Sequence, residues 1–224
     1  MSKSIAVKEG RPTDMFFEAT RRSAKTIEFE GKKYAYLRCW SMIEDRFKQF
    51  LTMNVLQGSG VGADGYILDL RDGFGGRPEG YYEAFFGPEM ELEWGFGAIK
   101  SRQLTGFQRP LVVLTNRGTR SAKEVVSMIF KESGRAILVG DTTAGDVLGT
   151  SPMPVSDWAF LEIPMVQLKV DDVTLEDRGV DPHVALTDEY DENGVDLYLK
   201  RGLEEVAKLV KEQSLKSGQS PARR

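Results

Sequence analysis

Short apolar runs alternating with segments of helical spacing constrain this chain more than any other feature of it. Residues 33–40, 65–71, 110–115 and 135–139 are brief, rich in β-branched or aromatic side chains, and bounded by turn residues. Such runs read as strands buried on both faces. Between them, 43–56, 78–86 and 122–131 carry apolar residues at helical intervals, and Val125, Val126, Ile129 and Phe130 make one stripe of the third. Alternation of this kind predicts an α/β fold with substantial parallel pairing. From 158 to 175 the pattern is strand-like, interrupted at Pro164 and at Asp171-Asp172, which predicts a β-rich return over one edge of the core. A last helix is expected over 196–211, with Leu199, Leu203, Val206 and Val210 on one face and Glu204 and Glu205 placed to pair with Lys208. The expected organisation is a lead-in over 1–25, a core over 26–190, a C-terminal helix over 191–213 and a flexible tail over 214–224.

At 224 residues and 41% hydrophobic content the chain can bury roughly 70% of the surface its unfolded form exposes, enough for one compact core. The 30 basic and 34 acidic residues give a net charge of -4, with no basic face that points to nucleic acid. No run reaches the roughly 20 apolar residues of a membrane-spanning helix. The single cysteine, Cys39, lies in an apolar run and is expected in the core.

Two loops follow expected strands and carry chemistry-compatible residues at the strands' carboxyl ends, where open α/β sheets bind ligands. In the first, Asp72-Gly73-Phe74-Gly75-Gly76, the glycines permit a backbone cradle for an oxyanion; a tight turn is the plainer reading. The second, residues 116–120, delivers Ser121 to the start of a helix, where free amides and the helix dipole would favour an attacking serine. Ser121-Ala122-Lys123-Glu124 is equally a capping box, with no catalytic meaning required. With one histidine, His183, there is no His-rich metal site, no Cys-Cys spacing offers zinc ligands, a Ser-His-Asp triad would have to use His183, and no cofactor is expected. Residues 140–145 lack the lysine and spacing of a phosphate-binding loop.

Taken together, these segments resemble the tail-specific, carboxyl-terminal-processing serine protease family. The resemblance rests on four motifs in the family's order: Gly65-Tyr66-Ile67-Leu68-Asp69-Leu70-Arg71 with its glycine loop; Val113-Leu114-Thr115-Asn116 with Thr119-Arg120-Ser121-Ala122-Lys123-Glu124; Gly140-Asp141-Thr142-Thr143-Ala144-Gly145-Asp146; and Gly179-Val180-Asp181-Pro182-His183-Val184. It spans roughly residues 27–186 and implies a ClpP/crotonase-like core of stacked ββα units. It implies Ser121 as nucleophile and an oxyanion hole from Gly75 or Gly76 with the amide of Ala122. It also implies a polypeptide substrate, unfolded or carboxyl-terminal, and an exported protein, periplasmic in a Gram-negative source.

Two departures from the family pattern matter. Asp146 stands where the family's general-base lysine is expected, and a carboxylate is a much weaker base than a neutral amine unless burial raises its pKa. Lys123, Asp146 or Asp141, and His183 are the candidates left for the base. The segment before the core is also too short for the PDZ module many relatives carry. A serine peptidase acting through a Ser121 acyl-enzyme is the leading expectation. The alternatives are an impaired, peptide-binding relative lacking the Ser-Lys dyad and an acyl-CoA enzyme of crotonase type.

Overall fold

A computed structural model of the chain describes residues 10–96 and 99–218. Helix α1 (Pro12–Ser23) starts with proline in its first turn, where the missing N–H costs nothing. It occupies much of what the sequence presents only as a lead-in. Strands β1 (Lys25–Phe29) and β2 (Lys32–Arg38) form a hairpin, and a short β3 (Ser41–Met42) leads into helix α2 (Asp45–Leu56). Then come β4 (Gly65–Asp69), the brief β5 (Phe74–Gly76) paired in parallel with β3, and a hairpin of β6 (Glu91–Phe96) and β7 (Ile99–Leu104). β8 (Leu111–Thr115), helix α3 (Ala122–Glu132) and β9 (Ile137–Gly140) complete the expected alternation. β10 (Gly149–Ser156) with β11 (Ala159–Val166), and β12 (Lys169–Val170) with β13 (Val173–Thr174), are two further hairpins. β14 (Val184–Ala185) and helix α4 (Leu197–Gly218) close the chain.

The main sheet has the order β1-β2-β4-β8-β9-β14, antiparallel only at β1-β2. Side chains alternate across it, and both faces are covered. Leu37, Leu68, Val113 and Leu138 meet Phe47 and Leu51 of α2 and Val126 and Phe130 of α3. Tyr36, Ile67, Leu114 and Val139 on the other face meet Val206, Ala207 and Val210 of α4. Burial on both faces explains why residues 66–68 of β4 and 111–114 of β8 are continuous apolar runs rather than alternating. Cys39 is buried in this core, where loss of solvation pushes its thiol up to about 11.

Three expectations are corrected. Residues 78–86 form only a single 3-10 turn, Glu83–Phe85, because Gly80 adopts φ 89°, which no helix accommodates. Pro164 does not interrupt a strand: it lies inside β11 opposite Thr150, and a two-stranded ribbon has outer edges where a missing N–H is harmless. That ribbon pairs with no strand of the main sheet, and the place beside β9 is taken by β14. Asp171 and Asp172, at φ 46° and 63°, are the turn between β12 and β13, as two consecutive left-handed residues require. Finally, α4 runs to Gly218, past the expected end at 211 and into the expected tail; Glu212, Gln213, Leu215 and Lys216 in the extension are good helix formers.

Candidate active site

Because β2, β4, β8 and β9 are parallel, the loops leaving β4, β8 and β9 emerge at one end of the sheet. They are tied together by short polar bonds. The Thr119 hydroxyl donates to the Leu70 carbonyl at 3.1 Å and accepts from the Asn116 N–H at 3.0 Å. The Asn116 side chain accepts from the Asp72 N–H at 3.1 Å and donates to the Asp72 carboxylate at 3.0 Å. Beneath them Arg71, fully buried, binds Asp69, Asp196 and Glu189 at 2.6, 2.7 and 3.0 Å, fastening the glycine loop to the approach and start of α4.

The glycine loop and the serine loop meet. A Cβ at Gly75 would lie 2.7 Å from the Ser121 Oγ and 3.0 Å from the Ala122 nitrogen, so only glycine fits there. Gly76 is turned instead toward Met42, whose carbonyl lies against it, at φ 138°. Gly75 and the amide of Ala122 are therefore brought to the serine, while Gly76 belongs to the packing of β5 on β3.

Ser121 immediately precedes α3 and has φ 56° and ψ -129°. This is the first central position of a type II′ turn, which glycine dominates. For a residue with a Cβ it costs on the order of 1–3 kcal/mol. An ordinary N-cap has extended backbone and carries no such strain.

Glu124, read from the sequence only as the far half of a capping box, does more. It is fully buried, and its carboxylate accepts from the Ser121 N–H at 3.0 Å, the Asp146 N–H at 2.9 Å, the Gly145 N–H at 2.6 Å and the Thr143 hydroxyl at 2.5 Å. The Ser121 N–H also meets the Asp146 carbonyl at 2.9 Å. One side chain thus holds the loop after β9 against the nucleophile candidate. The available sequence signal was the capping box itself; the long-range partners were not legible.

The candidate bases stand in different places. Asp146 adjoins Ser121 through its backbone, and the residue is exposed. Asp141 is engaged, accepting from Arg117 at 2.8 Å and from the Thr142 N–H at 2.7 Å. His183 accepts the Leu138 N–H on Nδ1 at 3.0 Å, which in the neutral ring leaves Nε2 protonated, with no lone pair for a serine proton. Partial burial and the nearby Lys131 lower its pKa. Lys123 is completely buried, and its Nζ donates to the Asp72 carbonyl at 2.5 Å; loss of solvation lowers its pKa to about 8. Among the described residues no cluster of three or more His, Cys, Asp or Glu could hold a metal ion, and no helix is long and apolar enough to cross a membrane.

A strained serine at a helix start is thus set against a glycine loop at the carboxyl end of a parallel sheet. The chain belongs to peptidase family S41, whose model matches residues 33–186. It is 32% identical over 145 residues to the carboxyl-terminal-processing protease of Synechocystis, covering 61% of this chain and 34% of that one. To the carboxy-terminal processing protease CtpA of Bacillus subtilis it is 31% identical over 140 residues, 55% of this chain and 28% of that one. The chain thus spans about a third of the length of the curated relatives it matches. Among solved structures it is similar to a photosystem II D1 C-terminal processing protease, with TM-score 0.51 and 26% identity over 73% of this chain and 45% of that one. The tricorn protease shares the fold, with TM-score 0.63 and 19% identity over 88% of this chain and 19% of the other.

Proposed function

We propose that the chain hydrolyses peptide bonds in unfolded or carboxyl-terminal polypeptide segments, with Ser121 as nucleophile. The observation that carries this reading is the strained backbone of Ser121, which a helix cap does not need and which presents the side chain to Gly75. In the proposed reaction the Ser121 Oγ attacks the scissile carbonyl and its proton passes to a base. Negative charge on the carbonyl oxygen develops beside the Ala122 amide and the Gly75 backbone. Collapse breaks the C–N bond, the proton goes to the leaving amine, and water releases the acyl group from Ser121.

The position normally held by a lysine carries the Asp146 carboxylate, whose charge disfavours both a serine alkoxide and the oxyanion. A slow peptidase follows, and in the limit a relative that binds peptides without cutting them. Mass spectrometry after exposure to a fluorophosphonate tests the reading. A stoichiometric adduct on Ser121 supports it, and an unmodified Ser121 under conditions that label a control serine hydrolase refutes it.

A further inference from the structure

The glycine loop has an unusual anchor. Asp72 and Gly73 adopt φ 52° and 73°, two successive left-handed residues at its start. Asp72 is fixed from three directions: its N–H and one carboxylate oxygen by Asn116, its other carboxylate oxygen by Arg38 at 2.6 Å, and its carbonyl by the Nζ of Lys123 at 2.5 Å. Lys123 alone of these belongs to the helix that Ser121 begins. A Cβ on Gly73 would lie 3.3 Å from Nζ, so the amino group sits beneath the start of the loop, whereas Gly75, two residues on, is the residue against the Ser121 Oγ. Residues two apart on a helix face different ways, consistent with this separation of tasks.

We infer that Lys123 is a positioning residue: its ammonium group holds the Asp72 carbonyl and so fixes the glycine loop against Ser121, rather than accepting the serine proton. The inference rests on the proposed role of Ser121. An ammonium is a stronger donor than an amine, so the clamp tightens when Lys123 is charged. The titratable and charged groups around it are Arg38 at the end of β2 and Cys39 just past it, Asp69 at the end of β4, and Asp72 in the loop itself. With the lysine pKa lowered to about 8, it is charged at pH 7 and loses its proton within an accessible range, below the Cys39 thiol at about 11.

The two roles predict opposite pH dependences. A base must be deprotonated to work, so its rate rises through the lysine titration; a clamping ammonium gives a rate that falls there. The test is the rate of fluorophosphonate labelling of Ser121 in the wild-type chain from pH 6.5 to 9.5, by intact-mass analysis, alongside Lys123→Met. We expect the wild-type rate to fall several-fold above about pH 8. Lys123→Met should label at least roughly tenfold more slowly at pH 7, with no such fall, while circular dichroism shows it folded. A rate that rises or stays flat in the wild type overturns the inference, as does wild-type labelling by Lys123→Met. Should that variant not fold, the wild-type profile alone decides. Absence of any labelling in the wild type refutes the role of Ser121 itself, a separate outcome.

Discussion

Replacing Ser121 with glycine removes the hydroxyl and the Cβ that makes φ 56° costly. Relief of the strain contributes about 1–3 kcal/mol. Against this stands the extra freedom glycine gives the unfolded chain, roughly 0.5–1 kcal/mol. The Ser121 side chain is only half-buried, so its lost contacts subtract little. Ser121→Gly is therefore expected to stabilise the chain by about 1 kcal/mol, which for a domain of this size raises Tm by about 2–4 °C. Ser121→Ala keeps the Cβ and the strain and loses any capping contribution, so it should cost up to about 1 kcal/mol. The pair separates the two readings of this serine, because at an unstrained cap both substitutions destabilise. Thermal and urea melts of the three proteins measure the difference, with fluorophosphonate labelling as a second readout that both variants should lose. A Ser121→Gly variant less stable than wild type would refute the strain argument and return Ser121 to a plain cap.

Three further outcomes are expected. Asp146→Lys should raise peptidase turnover on an unstructured peptide, since it restores an amine where the Asp146 backbone meets Ser121; turnover unchanged in a folded variant would show that the rest of the site cannot use it. The lowered pKa of Lys123 means the unfolded chain holds that proton longer than the folded one. Stability should therefore rise with pH from about 8 toward the unfolded lysine value, by as much as about 3 kcal/mol. Cys39, with its pKa raised, works in the opposite sense above the ordinary thiol value, so the pH series is read as the difference between wild type and Lys123→Met; a difference that does not change with pH would contradict the buried lysine. His183→Ala should cost about 1 kcal/mol through the Leu138 N–H it leaves unpaired, yet leave Ser121 labelling within about twofold; a collapse of labelling would make the imidazole part of the site.

The order of strands and helices was legible in the sequence because burial on both faces leaves continuous apolar runs, as over 66–68 and 111–114, and because α3 carries a clean stripe. The meeting of Gly75 with Ser121 could be anticipated from two loops following parallel strands. Local chemistry also marked Ser121 as a helix start, but it could not distinguish a cap from a nucleophile. The strained backbone angle on which the proposed nucleophile role rests is set only by the packing of the loop after β9 and of Gly75 around residue 121. The same holds for Glu124, whose partners at 143, 145 and 146 come from a distant strand end, and for Lys123, whose amino group finds a carbonyl 51 residues away in the chain. Where the sequence failed outright, at 78–86 and at Pro164, a left-handed glycine and a free ribbon edge overrode local pattern. Sequence determined which residues had to be buried and which chemistry was on offer, since hydrophobic spacing and side-chain type are local. Tertiary structure alone decided which groups face one another, because a hydrogen bond between residues far apart in the chain exists only once the sheet has aligned its strand ends.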